Sequence, residues 1–317
     1  MSTNIIRTAN RWYVQKSDST GTLIETDAAT TAALLADREA INNAVAADAA
    51  PLPDSRLESP VTTPCRVVAQ MTNFVSHIKD SGFNPETVPL TFFRKTSHSI
   101  SGPADDIIKP GHVRFLDYEV EIGLVIGRDI PVGTSITKEN IADHVAALVV
   151  TNDVSARDLQ LPKTQFYEAK SYPTFTPTGP RLVVLEPGDW ERFEDLRLKL
   201  WVNGDVRQDA LVDDDMLYRP LEALQGLAQF QPLAPGDMVL TGTPGGTALK
   251  APPKPVEIIG ALLPTATRWK AFFKSQTKNT RYLADGDLVE IHIGTEDGKL
   301  DLGRQRTTVR YAATATR

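Results

Sequence analysis

The run Phe115-Leu-Asp-Tyr-Glu-Val-Glu-Ile-Gly-Leu-Val-Ile126 sets carboxylates at alternate positions of an otherwise apolar stretch. Read as a β-strand, it places Asp117, Glu119 and Glu121 on one face and Tyr118, Val120 and Ile122 on the other, because strand side chains alternate with period two. Any fold that buries this strand must bring positive charge to the acidic face, since carboxylates removed from water repel one another and resist ionisation. Further on, Ala146-Ala-Leu-Val-Val-Thr-Asn-Asp153 ends a second apolar strand in another carboxylate. Glu119, Glu121 and Asp153 would offer three hard oxygen donors from two strands, a set suited to Mg2+, Mn2+ or Ca2+. On local spacing alone the plainer reading, solvated carboxylates on an amphipathic strand, is preferred, since Glu-x-Glu is a common pattern.

The surrounding chain reads as α+β, mostly β. From residue 113 onward, strand-like segments are divided by Pro-Gly, Pro-Gly-Asp and Asp-Gly-Asp turns, clearest near 196–202, 237–241, 287–293 and 306–312. Helical patches lie near 138–143 and 219–229. There is no strand–helix alternation of the dinucleotide-binding kind, no Gly-x-Gly-x-x-Gly and no internal repeat. Before this region, 11–25 reads as two short strands, 27–48 as alanine-rich helix, and Pro51-Leu-Pro53 opens a linker. The expected division is a small N-terminal domain or arm over 1–60 and a main domain over 61–317, opened by the strand Cys65-Arg-Val-Val-Ala69 and a helix over Thr72–Asp80. A formal net charge of -6 and the lack of a dense basic run argue against a nucleic-acid partner. No apolar stretch approaches a membrane span. The single cysteine, Cys65, reads as an inert buried thiol and, with an N-terminus lacking a charged-then-apolar leader, suggests a cytoplasmic protein.

Taken in order, Asp-Tyr-Glu-x-Glu, Asn152-Asp-Val-Ser-Ala-Arg-Asp-x-Gln160, Lys170-Ser, Val202-Asn-Gly and Thr241-Gly-Thr-Pro244 resemble the fumarylacetoacetate hydrolase family over roughly 64–312. Each motif is weak alone; the ordered set is specific. The resemblance implies a mixed β-sandwich roll, a homodimer, and a divalent cation on Glu119, Glu121 and Asp153, Mg2+ before Mn2+ or Ca2+. It implies that Lys170 neutralises a developing oxyanion or enolate, and that Arg157, Gln160, Thr243 and Lys95 contact an anionic substrate. For Lys95 a structural role is comparably expected. One departure is the long stretch after Thr-Gly-Thr-Pro, 247–284, which carries Arg268-Trp-Lys-Ala-Phe-Phe-Lys274. It reads equally as a lid or as an interface element.

The candidate base is His77. It lies three residues before Asp80 on an expected helix, so the two share a face, and a carboxylate beside an imidazole can fix its tautomer. Hydrolytic family members carry a similar His-x-x-Glu; here Asp shortens the reach by one methylene. The resulting expectation is metal-dependent hydrolysis of a C–C bond in a small diketo acid, acylpyruvate-like or fumarylacetoacetate-like. The same site would serve a decarboxylase, isomerase or hydratase acting through an enolate. A non-catalytic protein with structural Ca2+ is the remote alternative.

Overall fold

In a computed structural model, residues 2–164, 166–252, 255–256 and 263–313 are described. Sheets dominate, as the turn-divided apolar segments require. The larger sheet has 11 strands. Its order runs from Ala50–Pro51 through Thr20–Leu23, Arg11–Gln15, Thr3–Thr8, Leu182–Val184, Val145–Asn152, Val120–Ile126, Met238–Leu240 and Val67–Gln70 to Phe92–Lys95, with Leu57–Glu58 also paired to Thr3–Thr8. A second sheet of 5 strands runs from Asp205–Leu211 through Arg197–Val202, Leu288–Gly294 and Asp301–Tyr311 to Ile107–Lys109.

Period-two alternation splits the core. Val120, Ile122, Leu124 and Ile126 pack with Leu198, Leu200, Ile291, Ile293 and Leu302 of the smaller sheet. Val125, Val149, Val67, Met238 and Leu240 face the opposite way, into a cluster with Leu34, Leu35 and Ile41 from the helices Thr31–Ala36 and Arg38–Ala46. Glu121 has the parity of Val125, and in register Glu121 pairs with Thr151 as Gly123 pairs with Val149. The acidic face therefore lies on the helix-covered side of the large sheet, where several central strands end.

Two sequence expectations are modified. The strand expected over Phe115–Ile126 is two strands, Leu116–Asp117 and Val120–Ile126, interrupted at Tyr118 and Glu119. There the Glu119 N–H donates to the Asn152 side chain, and its carbonyl receives the Asp153 N–H. The helix expected from Thr72 begins at Val75. In addition, the strand Thr3–Thr8 joins the N-terminal segment to Leu182–Val184, so the large sheet continues across the boundary expected near residue 60. Cys65 is half-buried; burial, then the Asp237 carboxylate, push its thiol up to about 12, which keeps it protonated at neutral pH. Among the described residues no helix is long and apolar enough to cross a membrane.

Candidate metal centre and active site

Strand ends assemble the centre. Glu119 leads into Val120–Ile126, Asp153 follows Val145–Asn152, and Lys95 closes Phe92–Lys95. One ligand atom from each of Glu119, Glu121 and Asp153 lies within 4.8 Å of the others, and all three residues are buried. Buried carboxylates this close require compensation, and three cations provide it. Lys170 Nζ donates to Glu119 Oε2 at 2.7 Å and to Asp153 Oδ2 at 2.5 Å. Lys95 Nζ donates to Asp153 Oδ1 and, at 2.8 Å, to the Phe175 carbonyl. Arg157 forks between Asp117 Oδ2 at 2.8 Å and Glu119 Oε1 at 2.5 Å, while its third arm reaches Gln160 Oε1 at 2.8 Å.

Four carboxylates thus face three cations, and among the described residues Glu121 is the acid without an ion pair. Its Oε2 accepts the Gly242 N–H at 2.8 Å. Burial, then the neighbouring carboxylates of Asp153 and Glu119, hold the Glu121 carboxyl well above the usual carboxylate range. At Glu119, burial pulls upward but Lys170 and Arg157 outweigh it and hold the group at about 2. An all-oxygen donor set with one uncompensated carboxylate fits a hard divalent cation such as Mg2+, Mn2+ or Ca2+.

The lysines differ. Burial outweighs Asp153 at Lys95 and lowers its pKa, whereas at Lys170 the carboxylates of Asp153 and Glu119 outweigh burial and raise it. Arg157 and Lys95, expected to contact the substrate, are engaged with Asp117 and Glu119 and with Asp153, respectively. Gln160 is turned to Arg157.

The motif Thr241-Gly-Thr-Pro-Gly-Gly246 brings backbone close on both sides. Gly242 has φ +81, and a Cβ there would lie 2.8 Å from Asn73 Cβ; at Gly246, φ +104, a Cβ would lie 2.0 Å from the Arg207 carbonyl oxygen. Only glycine fits either position. Thr243, 2% exposed, accepts a bond from the Gln208 side chain at 2.8 Å.

His77 sits on the helix Val75–Asp80, anchored by buried Phe74 and Ile78 and by Asp215, which receives the Ser76 N–H at 2.7 Å. Burial, against the pull of the Glu119 charge, lowers the His77 pKa, so the imidazole is neutral near pH 7. Its Nδ1 is buried and has no hydrogen-bond partner among the described residues. The expected His77–Asp80 pair is not formed. Asp80 Oδ2 accepts the Gly246 N–H at 3.0 Å, and Oδ1 faces Lys250 Nζ at 3.5 Å. Residues three apart on a helix share a side, but the glycine turn offers Asp80 a backbone donor.

Sequence reasoning gave no role to Gln208, Asn73 or Arg281. Asn73 clamps the carbonyls of Tyr218 and Thr241 at 2.9 and 2.7 Å, and Arg281 donates to the Gly246 carbonyl at 2.7 Å. Neither position carries a spacing signal, because each acts across more than 30 residues of sequence. Of the 247–284 stretch, residues 253–254 and 257–262 lie outside the described residues. The helix Thr265–Gln276 that follows stacks Phe273 on Phe115 at 5.8 Å between centroids.

The family model for the fumarylacetoacetate (FAA) hydrolase C-terminal domain matches residues 66–310. The mitochondrial oxaloacetate tautomerase FAHD2A of Homo sapiens is 35% identical over 219 residues, 66% of this chain and 66% of the relative. The chain thus matches about two thirds of that relative's length. A crystal structure of a probable 2-hydroxyhepta-2,4-diene-1,7-dioate isomerase from Mycobacterium abscessus superposes with TM-score 0.72 at 29% identity, over 99% of this chain and 100% of the other. Fumarylacetoacetate hydrolase from Exiguobacterium antarcticum gives 0.71 at 25% identity, over 98% of this chain and 100% of the other.

Proposed function

Because the chain belongs to the fumarylacetoacetate hydrolase family, we propose that it is a divalent-metal-dependent enzyme that forms and reprotonates the enolate of a small 2-oxo or diketo acid. The observation that carries this reading is the unmatched carboxylate. With a divalent cation on Glu119, Glu121 and Asp153, the four acids and three bases gain a net positive charge, which favours an anionic substrate. That cation would supply electrophilic stabilisation for negative charge developing on a substrate oxygen. Lys170, fixed between Glu119 and Asp153, adds positive charge at the same edge. Neutral His77 is suited to take a proton from the substrate carbon and return it. The Thr243 hydroxyl would donate to the substrate carboxylate.

Tautomerisation or isomerisation is favoured over hydrolysis. Hydrolysis would ask His77 to activate water with Asp80 as its orienting partner, and Asp80 is turned to Gly246 and Lys250. The names of the human relative and of the Mycobacterium abscessus neighbour support the same choice. Hydrolysis of a diketo acid is the second reading, supported by the Exiguobacterium antarcticum fumarylacetoacetate hydrolase. A homodimer is part of the proposal. The expected cytoplasmic location gains no support from a mitochondrial relative.

Product analysis decides between the readings. Oxaloacetate, acylpyruvates and unsaturated 2-oxo diacids would each be incubated with and without Mg2+ or Mn2+. Metal-dependent enol–keto exchange without C–C cleavage is expected. Cleavage of an acylpyruvate to pyruvate and a carboxylic acid as the dominant outcome would establish the hydrolytic reading, loss of CO2 from oxaloacetate would point to a decarboxylase instead, and no turnover of any member would overturn every reading.

A further inference from the structure

Gln208 lies on the strand Asp205–Leu211, just after a bulge that shifts register against Leu200 and Trp201. A bulge re-aims side chains, and here it sends Gln208, 0% exposed, under the 243–244 turn. Its amide meets backbone groups of fixed polarity on both sides. Oε1 faces the Val120 N–H at 3.0 Å, which can only donate, and Nε2 faces the Pro244 carbonyl at 2.7 Å, which can only accept. The amide orientation is therefore determined without ambiguity, unlike most glutamine side chains. Nε2 has one hydrogen left, and it goes to Thr243 Oγ1 at 2.8 Å.

This orients Thr243. One of the two lone pairs of its oxygen is taken by Gln208, and no acceptor for its own hydrogen appears among the described residues. The neighbouring Gly242 N–H caps Glu121, so Thr243 follows directly on the backbone that meets the carboxylate cluster. We propose that Gln208 is a positioning residue that holds Thr243 Oγ1 by one lone pair and leaves its O–H to donate, so that this wall of the site favours an anionic acceptor, the carboxylate of the acid substrate. The role of the lock rests on the function proposed above; the contact itself does not. By the same geometry Gln208 ties the first residue of the Glu121 strand to the substrate-facing turn.

The test uses Gln208→Met, Gln208→Glu, Thr243→Val and Thr243→Ser, with the double variants of Gln208 and Thr243→Val. Without ligand, thermal midpoints test the contact. Losses from Gln208→Met and Thr243→Val that are less than additive in the double variant are expected, and additive losses overturn the lock. Oxalate affinity of the Mn2+-loaded protein tests the role. Thr243→Val and Gln208→Glu should each weaken oxalate by about tenfold or more, as expected for a hydrogen bond to a charged group. Thr243→Ser should retain affinity, and Gln208→Glu should add no loss in the Thr243→Val background. Mn2+ affinity should stay within a few-fold throughout. Equal losses from Gln208→Glu in both backgrounds would make Gln208 merely structural. If the wild-type protein binds no oxalate while the thermal coupling stands, the acid-substrate reading fails and the contact survives.

Discussion

Glu121 and Asp153 stand in the same cluster with different surroundings, and the difference orders the consequences of losing either. Asp153 receives both Lys95 and Lys170, whereas Glu121 receives a backbone N–H and no cation. Asp153→Asn should therefore abolish metal binding and also leave two buried ammonium groups short of charge, at a cost of about 3–5 kcal/mol. Glu121→Gln should abolish metal binding while the metal-free protein keeps or gains thermal stability, because the amide can still accept the Gly242 N–H and the repulsion from Asp153 and Glu119 disappears. Calorimetric titration with Mn2+ and thermal unfolding in chelator check both; a large loss of metal-free stability in Glu121→Gln would show that its charge is structurally required. The base is separable from its expected partner. His77→Ala should keep metal affinity and lose on the order of 100-fold in proton exchange at the substrate carbon. Asp80→Asn should lose far less, since Asp80 holds the Gly246 turn and makes no hydrogen bond to the imidazole. Equal losses would restore the pair read from the spacing His-x-x-Asp. That spacing revealed a shared helix side but could not reveal the glycine turn, whose backbone competes for the carboxylate.

At the scale of elements, the long stretch after Gly246 has two parts with different duties. Asn279 and Arg281 donate to the carbonyls of Ala248 and Gly246, and Asp117 receives the N–H groups of Ala248 and Leu249. These contacts fix the turn beside the cluster. The helix Thr265–Gln276 has no buried residue and rests on an aromatic stack of Trp269, Phe273 and Phe115, with Arg114 over the last two rings. Replacing 255–276 by a short Gly/Ser link, with Asn279 and Arg281 retained, should leave fold and metal affinity intact and raise the Michaelis constant or shift acyl preference. Unchanged kinetics with weaker self-association would make the helix an interface element instead. Its aromatic and cationic composition was visible in the sequence. Its division into an exposed helix and a clamping tail was not, because the clamp consists of side chain–backbone bonds between residues more than 30 apart in sequence. The strand break at Tyr118 and Glu119 was hidden for the same reason: the Asn152 side chain takes an N–H that a ladder would otherwise use.

For the whole molecule, the motifs of 115–126, 152–160 and 241–246 made the family and the acidic cluster legible, because metal ligation restricts residue type as well as spacing. The continuity of the large sheet was not legible. Thr3–Thr8 is a short run with two central isoleucines, and its partner Leu182–Val184 lies more than half the chain away, so no local period announces the pairing. The consequence is mechanical. Ile5, Trp12, Val14, Leu34, Leu35 and Ile41 form one buried cluster with Val67, Val125, Val149, Met238 and Leu240, on the sheet face that Glu121 shares by strand parity. Removing residues 1–60 would uncover that apolar layer and leave Leu182–Val184 as an unpaired edge, exposing a strand template as well as lost burial of about 1.5–3 kcal/mol for each large side chain. The chain 61–317 should therefore aggregate or lose its near-ultraviolet dichroism while retaining far-ultraviolet strand signal, and should not bind Mn2+. A monodisperse 61–317 that binds Mn2+ like the full chain would show that the N-terminal segment is a separable arm, and that the acidic cluster is held by the strands of the main domain alone.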